Sequence, residues 1–302
     1  MIKQLFSALI IALFTASVQA QNLKLMLGFP PGGGVDLIAR AVEQSLSQQN
    51  INVTLIYKPG ASGIIALNEC EQDLSVVCLV SNAQTVSSMS LPDSSRKFKY
   101  DELGYLKLLS FAPNVYVTRP SNLLTYSEII KNIQNDKVSF AVATAGLGHN
   151  TTAFLRELKP KNAVQVEYKG AGPAALDILG GHVDYALLPL SVAKTQNLKI
   201  VFGNKKYNVP ELKGLPTVET NFPNVTYQAD SYYGFVVGSK MSEADKNKLL
   251  SIIGHLFTDK TFEAKLESYG MFLVDPKLNS EYYKKFTAEE RLKLNNFLST
   301  QK

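Results

Sequence analysis

Near the start of the chain Leu23, Leu25, Leu27 and Phe29 alternate with Lys24, Met26 and Gly28, the period-2 pattern of a strand. Pro30-Pro31-Gly32-Gly33-Gly34 breaks it. The apolar spacing then switches to Leu37, Ile38, Ala41, Val42 and Leu46, one face of a helix. Asp36 falls at the start of that helix, where a carboxylate favours the helix dipole. The same pattern recurs downstream. Residues 53–57 predict a strand, followed by Pro59-Gly60-Ala61-Ser62-Gly63 and a helix near 64–70. Residues 76–80 form a fully apolar strand pattern. Residues 138–144 form another, leading into Ala145-Gly146-Leu147-Gly148-His149 and a helix through Leu158. Residues 164–168 read as a strand before Lys169-Gly170-Ala171-Gly172, and Pro173 suits the first turn of a helix ending at Gly180-Gly181. Further strands are expected at 183–188, 199–202 and 232–237, then helices at 243–257, 260–269 and 280–298, the last a polar, Lys-rich, solvated element.

Strand, Gly-rich loop and helix in alternation predict βαβ units and mostly parallel sheets. Ligands bind such sheets at the carboxyl ends of the strands. Four Gly-rich strand-to-helix loops are therefore candidate walls of one site.

The first twenty residues bear on location. Lys3, the apolar run 5–14 and Val18-Gln19-Ala20 form the pattern of a cleavable signal peptide, with Gln21 as the first mature residue. No Cys follows the cleavage pattern to carry a lipid, and no later segment is long and apolar enough to cross a membrane. A soluble, exported, periplasmic protein of two lobes or one large domain is expected. The net charge of +5 is scattered along the chain rather than clustered, which weakly favours small anions and does not make a nucleic-acid footprint. The two cysteines, Cys70 and Cys78, read as a disulfide in an oxidising compartment, with two buried thiols as the other reading. No metal-ligand spacing, zincin motif or nucleophile elbow is present, so neither a metal nor an organic cofactor is expected, and no enzymatic activity.

The glycines of residues 29–36 allow a ligand close to the backbone, and the helix start behind them presents unpaired N–H groups. Together these make an anion site, although such a loop is equally a plain tight turn. It is neither a P-loop nor a dinucleotide fingerprint. Residues 144–149 follow the same logic. There His149 reads either as a ligand contact or as an exposed loop histidine. In the third loop a backbone role for Gly170 and Ala171 is favoured over a side-chain role for Lys169.

Taken in order, FPPGGGVDLIAR, PGASG, ATAGLGH, YKGAGPAALDILGGHVDYAL, SYYGFVV and KLESYG resemble the Bug-type (tripartite tricarboxylate transporter) periplasmic solute-binding receptors, over about residues 23–276. The resemblance implies a two-lobed periplasmic-binding-protein type II fold, α/β in class, each lobe a mostly parallel sheet flanked by helices. It places residues 21–122 and 230–302 in one lobe and 123–229 in the other, joined by two crossing strands. It further implies that a small carboxylate is held by Phe29, Pro30, Gly32, Gly33, Gly34 and Asp36 on one side and by Thr144, Ala145, Gly148 and His149 on the other. Lys169, Gly170, Ala171, Asp184 and Asn82 are expected nearby. The sequence departs from the family pattern at Val35 (commonly Thr), His149 (commonly a small hydroxyl residue), Glu167 (commonly apolar or Pro) and Tyr233 (commonly Trp). The implied role is a monomeric receptor delivering ligand to membrane transport subunits. The alternatives are a module presenting ligand to a membrane sensor, and an exported enzyme on the same fold.

Overall fold

The computed structural model describes residues 21–203, 209–225 and 227–300; the expected signal segment lies outside them. Among the described residues no helix is long and apolar enough to cross a membrane.

Two sheets organise the chain. The first contains β1 (Gln21–Leu27), β2 (Ile51–Tyr57), β3 (Val76–Ser81), β4 (Gly104–Ala112), β10 (Ser231–Val237) and β11 (Phe272–Leu273), in the order β11-β4-β10-β3-β1-β2. The second contains β5 (Asn114–Thr118), β6 (Lys137–Val142), β7 (Asn162–Glu167), β8 (Tyr185–Pro189) and β9 (Lys199–Phe202), in the order β7-β6-β8-β5-β9. In each sheet a block of three strands is parallel, β2-β1-β3 and β7-β6-β8. The remaining pairings are antiparallel, so the sheets are mixed rather than mostly parallel. The physical reason is the crossing. A chain that leaves one lobe and later re-enters it runs up one strand and down another, which puts β4 and β10 antiparallel side by side.

The outward crossing lies at Pro113, between β4 and β5. Strand β5, inside the segment 21–122 expected in the first lobe, therefore pairs within the second sheet. Proline suits this point because it has no N–H to contribute to either ladder. The return crossing, Ala229–Ser231, is tied down by three asparagines. Asn82 Nδ2 donates to the Asp230 carbonyl (3.1 Å), and Asn114 Nδ2 to that of Ala229 (2.7 Å). Asn150 pairs with Ala229 in both directions (2.8 and 3.0 Å).

The first sheet is buried on both faces. Leu23, Leu25 and Leu27 pack with Ile38, Val42 and Leu46 of helix α1 (Gly34–Ser47), whereas Met26 points into a second cluster with Val80, Tyr105 and Tyr283. Burying each such side chain contributes about 1.5–3 kcal/mol, and the alternation along β1 decides which cluster receives it. The second lobe has one core around Phe140, Phe154, Ile178, Tyr185 and Phe202.

The expected disulfide is not formed. Cys70, on helix α2 (Ile64–Gln72), and Cys78, on β3, are buried free thiols. Cys70 Sγ donates to the Val236 carbonyl (3.8 Å) and Cys78 Sγ to that of Ala66 (3.7 Å). Burial pushes the Cys78 thiol well above its ordinary range, assisted by Cys70 beside it.

Candidate interlobe binding site

The loop after β1 is shaped by its own helix. Gly32 takes φ +87°, a region few side chains tolerate, and its N–H donates to Asp36 Oδ2 (2.9 Å). Asp36 also accepts from Arg40 Nε (3.1 Å) and Tyr57 OH (2.6 Å). The carboxylate is 4% exposed and points back into the loop. Burial, then the Asp36 hydrogen bond, pushes the Tyr57 hydroxyl up to about 12, so Tyr57 remains a donor at neutral pH. Asp36, expected at the ligand, instead fixes the loop, because all its acceptor capacity is turned inward.

This leaves the start of α1 free of side chains. Its cap, Gly33, supplies no side-chain acceptor, so the first N–H groups of a 14-residue helix face outward. The second lobe repeats the device. Helix α6 (Ala171–Gly180) is capped by Gly170, again without a side-chain bond. The two starts meet directly. A Cβ on Gly172 would lie 2.5 Å from the Pro31 carbonyl oxygen and 3.2 Å from Gly33 N, and one on Gly170 would lie 3.2 Å from Pro30 Cδ. Only backbones without side chains approach this closely.

A small cavity, about 30 Å³, lies at this junction. Phe29, Gly33, Gly34 and Val35 line it from the first loop, Ser81, Asn82 and Ala83 from the end of β3, and Ser231 and Tyr233 from β10. Thr144, Leu147, Ala171 and Pro189 line it from the second lobe. Tyr233 stands so near Gly34 that a Cβ there would fall on its hydroxyl. Burial pushes that hydroxyl upward against smaller opposing pulls from Ser231 and Ser191, so it stays protonated. None of the lining side chains carries a charge at neutral pH. A roomier groove opens between residues 227–230 and the C-terminal helix, but it is walled by that helix rather than by the glycine loops.

Several expected residues lie elsewhere. Thr144 reaches the cavity and also caps its own helix α5 (Ala145–Leu158) by accepting from Leu147 N (3.3 Å). Ala145 opens that helix, and its side chain lies outside the described set. Gly148, one turn in, faces Val142, where a Cβ would meet the Cγ1 at 2.8 Å. His149 does not line the cavity but bridges the lobes beside it, its Nε2 3.1 Å from Ser90 Oγ in the first lobe and its ring against Phe297. Burial lowers its pKa. A helix turns 100° per residue, so position 149 falls on the side opposite the wall formed by Thr144 and Leu147, while Gly148, four residues after Thr144, stands at the edge of that wall against Val142. Lys169 is exposed. Asp184 precedes β8 and accepts from Ser139 N (2.9 Å) and Oγ (2.8 Å), tying β6 to β8 at the end opposite Pro189. Residues the sequence reading did not place in the site are Val35, Ser81, Ala83, Leu147, Pro189, Ser231 and Tyr233, of which Val35 and Tyr233 are noted there only as departures from the family pattern. The rule that ligands sit at strand carboxyl ends points to Ser81 and Pro189, whereas Ser231 arrives from the return crossing and has no local signal.

The chain matches the tripartite tricarboxylate transporter family receptor over residues 38–300. It is 28% identical over 203 residues to a UPF0065 protein of Pseudomonas sp. (strain P51), a match spanning 60% of this chain and 59% of that relative's length. The structure is similar to that of the periplasmic binding protein BugD, with TM-score 0.82 and 18% identity over 93% of this chain and 97% of that one. It is also similar to MatC from Rhodopseudomonas palustris with bound malate, with TM-score 0.80 and 17% identity over 92% of this chain and 99% of that one. The architecture is that of the type II periplasmic binding proteins. This chain belongs to the tripartite tricarboxylate transporter family of solute receptors.

Proposed function

We propose that the protein is a periplasmic receptor that closes its two lobes on a small carboxylate and presents it to membrane transport subunits of the tripartite type. The observation that carries this reading is the meeting of two uncapped helix starts, at Gly33–Val35 and at Gly170–Ala171, on one uncharged cavity. Each helix start carries a partial positive charge and outward N–H groups, and a carboxylate placed between them satisfies both. Tyr233 and Ser231 add neutral hydroxyls, and Asn82 links the cavity wall to the return crossing through Asp230. Ligand would thus be felt by both lobes and by the hinge, which is the requirement for closure around a ligand. The malate bound by the similarly folded MatC is consistent with this reading. The reading involves no cofactor and no catalytic step.

A thermal-shift screen of the purified protein against small carboxylates tests it. A ligand that binds only the folded state raises the Tm by mass action. The expected result is a clear shift with one chemical group of carboxylates. Silence across the panel, repeated after denaturing and refolding to remove carried ligand, would reject the proposal. Loss of uptake of that carboxylate on deletion of the gene tests the transport half; unchanged uptake would leave a receptor without that transport role.

A further inference from the structure

We infer that His149 is a closure latch: reaching from the second lobe to Ser90 and Phe297 of the first, it holds the two lobes together beside the ligand cavity. This deepens the receptor reading by naming a residue that sets the closing equilibrium. The latch acts whatever the lobes close upon.

Helix α5 carries two neighbouring grips on the rest of the molecule. Asn150 pairs with Ala229 in both directions, so it stays with the return crossing. His149 reaches the first lobe instead, its Nε2 3.1 Å from Ser90 Oγ and its ring centroid 6.3 Å from that of Phe297. Both partners are held in place. Ser90 ends the short turn Ser87–Ser90, where Arg96 donates to the carbonyls of Ser88 (3.0 Å) and Leu91 (3.1 Å) and Ser88 Oγ donates to that of Gln84 (2.7 Å). Phe297 is stacked on Tyr227, centroids 4.9 Å apart. The direction of the bond follows from Ser90. Its hydroxyl has one proton, which it donates to the Ser87 carbonyl (2.8 Å), so Nε2 of His149 is the donor and Oγ the acceptor.

The segments that meet in the latch also flank the cavity. Asn82 and Ala83 line it a few residues before Ser90, and Thr144 and Leu147 line it just before His149. Latch and ligand therefore favour the same arrangement of the lobes, and a larger closed fraction raises the apparent affinity.

The latch is weakened by acid. With Nε2 already a donor, a second proton would enter at Nδ1 and leave a charged ring half-buried against Phe297. Charged groups on the surrounding elements are engaged elsewhere. Arg96 pairs with Asp93, Glu290 with Lys293 and Arg291 with Asp101. Lys137 opens β6 at the end far from α5, and the return crossing brings Asp230. Burial lowers the pKa of the ring, and no carboxylate offsets it. Protonation therefore favours the open lobes, where the ring meets water.

Pulsed electron-resonance distances between the lobes test this without any ligand, so failure here is separate from failure of the receptor reading. Spin labels go on Gln44→Cys and Leu176→Cys, exposed positions on α1 and α6, whose starts touch when the lobes are closed. The protein is first denatured and refolded to clear any carried ligand. At pH 7.5 the short distance should dominate. His149→Ala and Ser90→Ala should each lower the closed-to-open ratio about fivefold, the order expected for one hydrogen bond. The double variant should go no further than either alone. His149→Gln, whose amide places an N–H near the position of Nε2, should restore the wild-type distribution. At pH 5.5 the wild type should shift toward the longer distance and the Gln variant should not. Equal distributions in the wild type and both single variants overturn the latch, as does a wild type without the short distance. The same acid shift in the Gln variant overturns the role of His149 in the pH response.

Discussion

Gly172 of the second lobe rests on Pro31 of the first so closely that a Cβ added to it would stand 2.5 Å from the Pro31 carbonyl oxygen. The contact joins backbone to backbone at the start of two helices, and neither side can yield as a flexible side chain would. It sets how far the lobes close and therefore how much room remains for a ligand.

Gly172→Ala should weaken ligand binding by about tenfold or more while leaving the Tm of the ligand-free protein nearly unchanged. The residue is helical with an ordinary φ, so alanine fits α6 itself and clashes only across the cleft. Titration with the ligand found in the screen, beside a thermal melt, checks this. Wild-type affinity would show that the lobes do not meet here when ligand is bound.

Asp36 and Asp184 were both expected at the ligand, and the structure separates their effects. Asp36→Ala leaves Gly32 N–H and Tyr57 OH without their acceptor and should cost about 2–4 kcal/mol of stability. It should also lower affinity, because the first loop loses its shape. Asp184→Ala breaks the tie to Ser139 and should lower stability with affinity unchanged. Thermal melts and titrations of the two variants decide it; an affinity loss in the Asp184 variant would place that residue nearer the ligand than its bonds indicate.

His149 links the lobes by its contact with Ser90, and burial holds its pKa below the ordinary 6.5. The neutral ring is the form favoured in the folded protein. The unfolded chain takes up the proton first as pH falls, so this part of the stability is intact above about 6.5 and is lost as pH falls from there through the lowered folded value. His149→Ala should flatten the pH dependence of Tm in that window. An identical profile in the variant would mean that the histidine does not titrate differently on folding.

The two thiols offer a chemical count. In denaturant the protein should react with two equivalents of a thiol reagent, and in the native state with almost none, since both sulfurs are buried. Zero equivalents in denaturant would mean that the protein as purified carries the Cys70–Cys78 disulfide.

The tertiary structure decided where side chains point and which distant strands complete the site. The local grammar was legible without it. Alternation along Leu23–Leu27, the switch of period after Gly34 and the glycine loops each depend on residues within a few positions of one another, and such patterns survive in one dimension. The carboxyl ends of parallel strands and the starts of the following helices, where the candidate cavity lies, are likewise defined by chain order. The crossing strands 104–112 and 114–118 escaped the reading because most of their residues are buried and no period-2 alternation marks them. Asp36 and His149 lie within the right segments, yet one bonds its own loop and the other faces Ser90, because a helix turns successive residues by 100° and packing selects which of them meets the cleft. Tyr233 and Ser231 reach the cavity from more than 190 residues beyond the first loop, a juxtaposition created only when β10 threads back between β3 and β4. The sequence by itself determined the elements, their order and the loops that could bind an anion. Which groups line the cavity, and that none of their side chains is charged, follow from the packing of the two lobes.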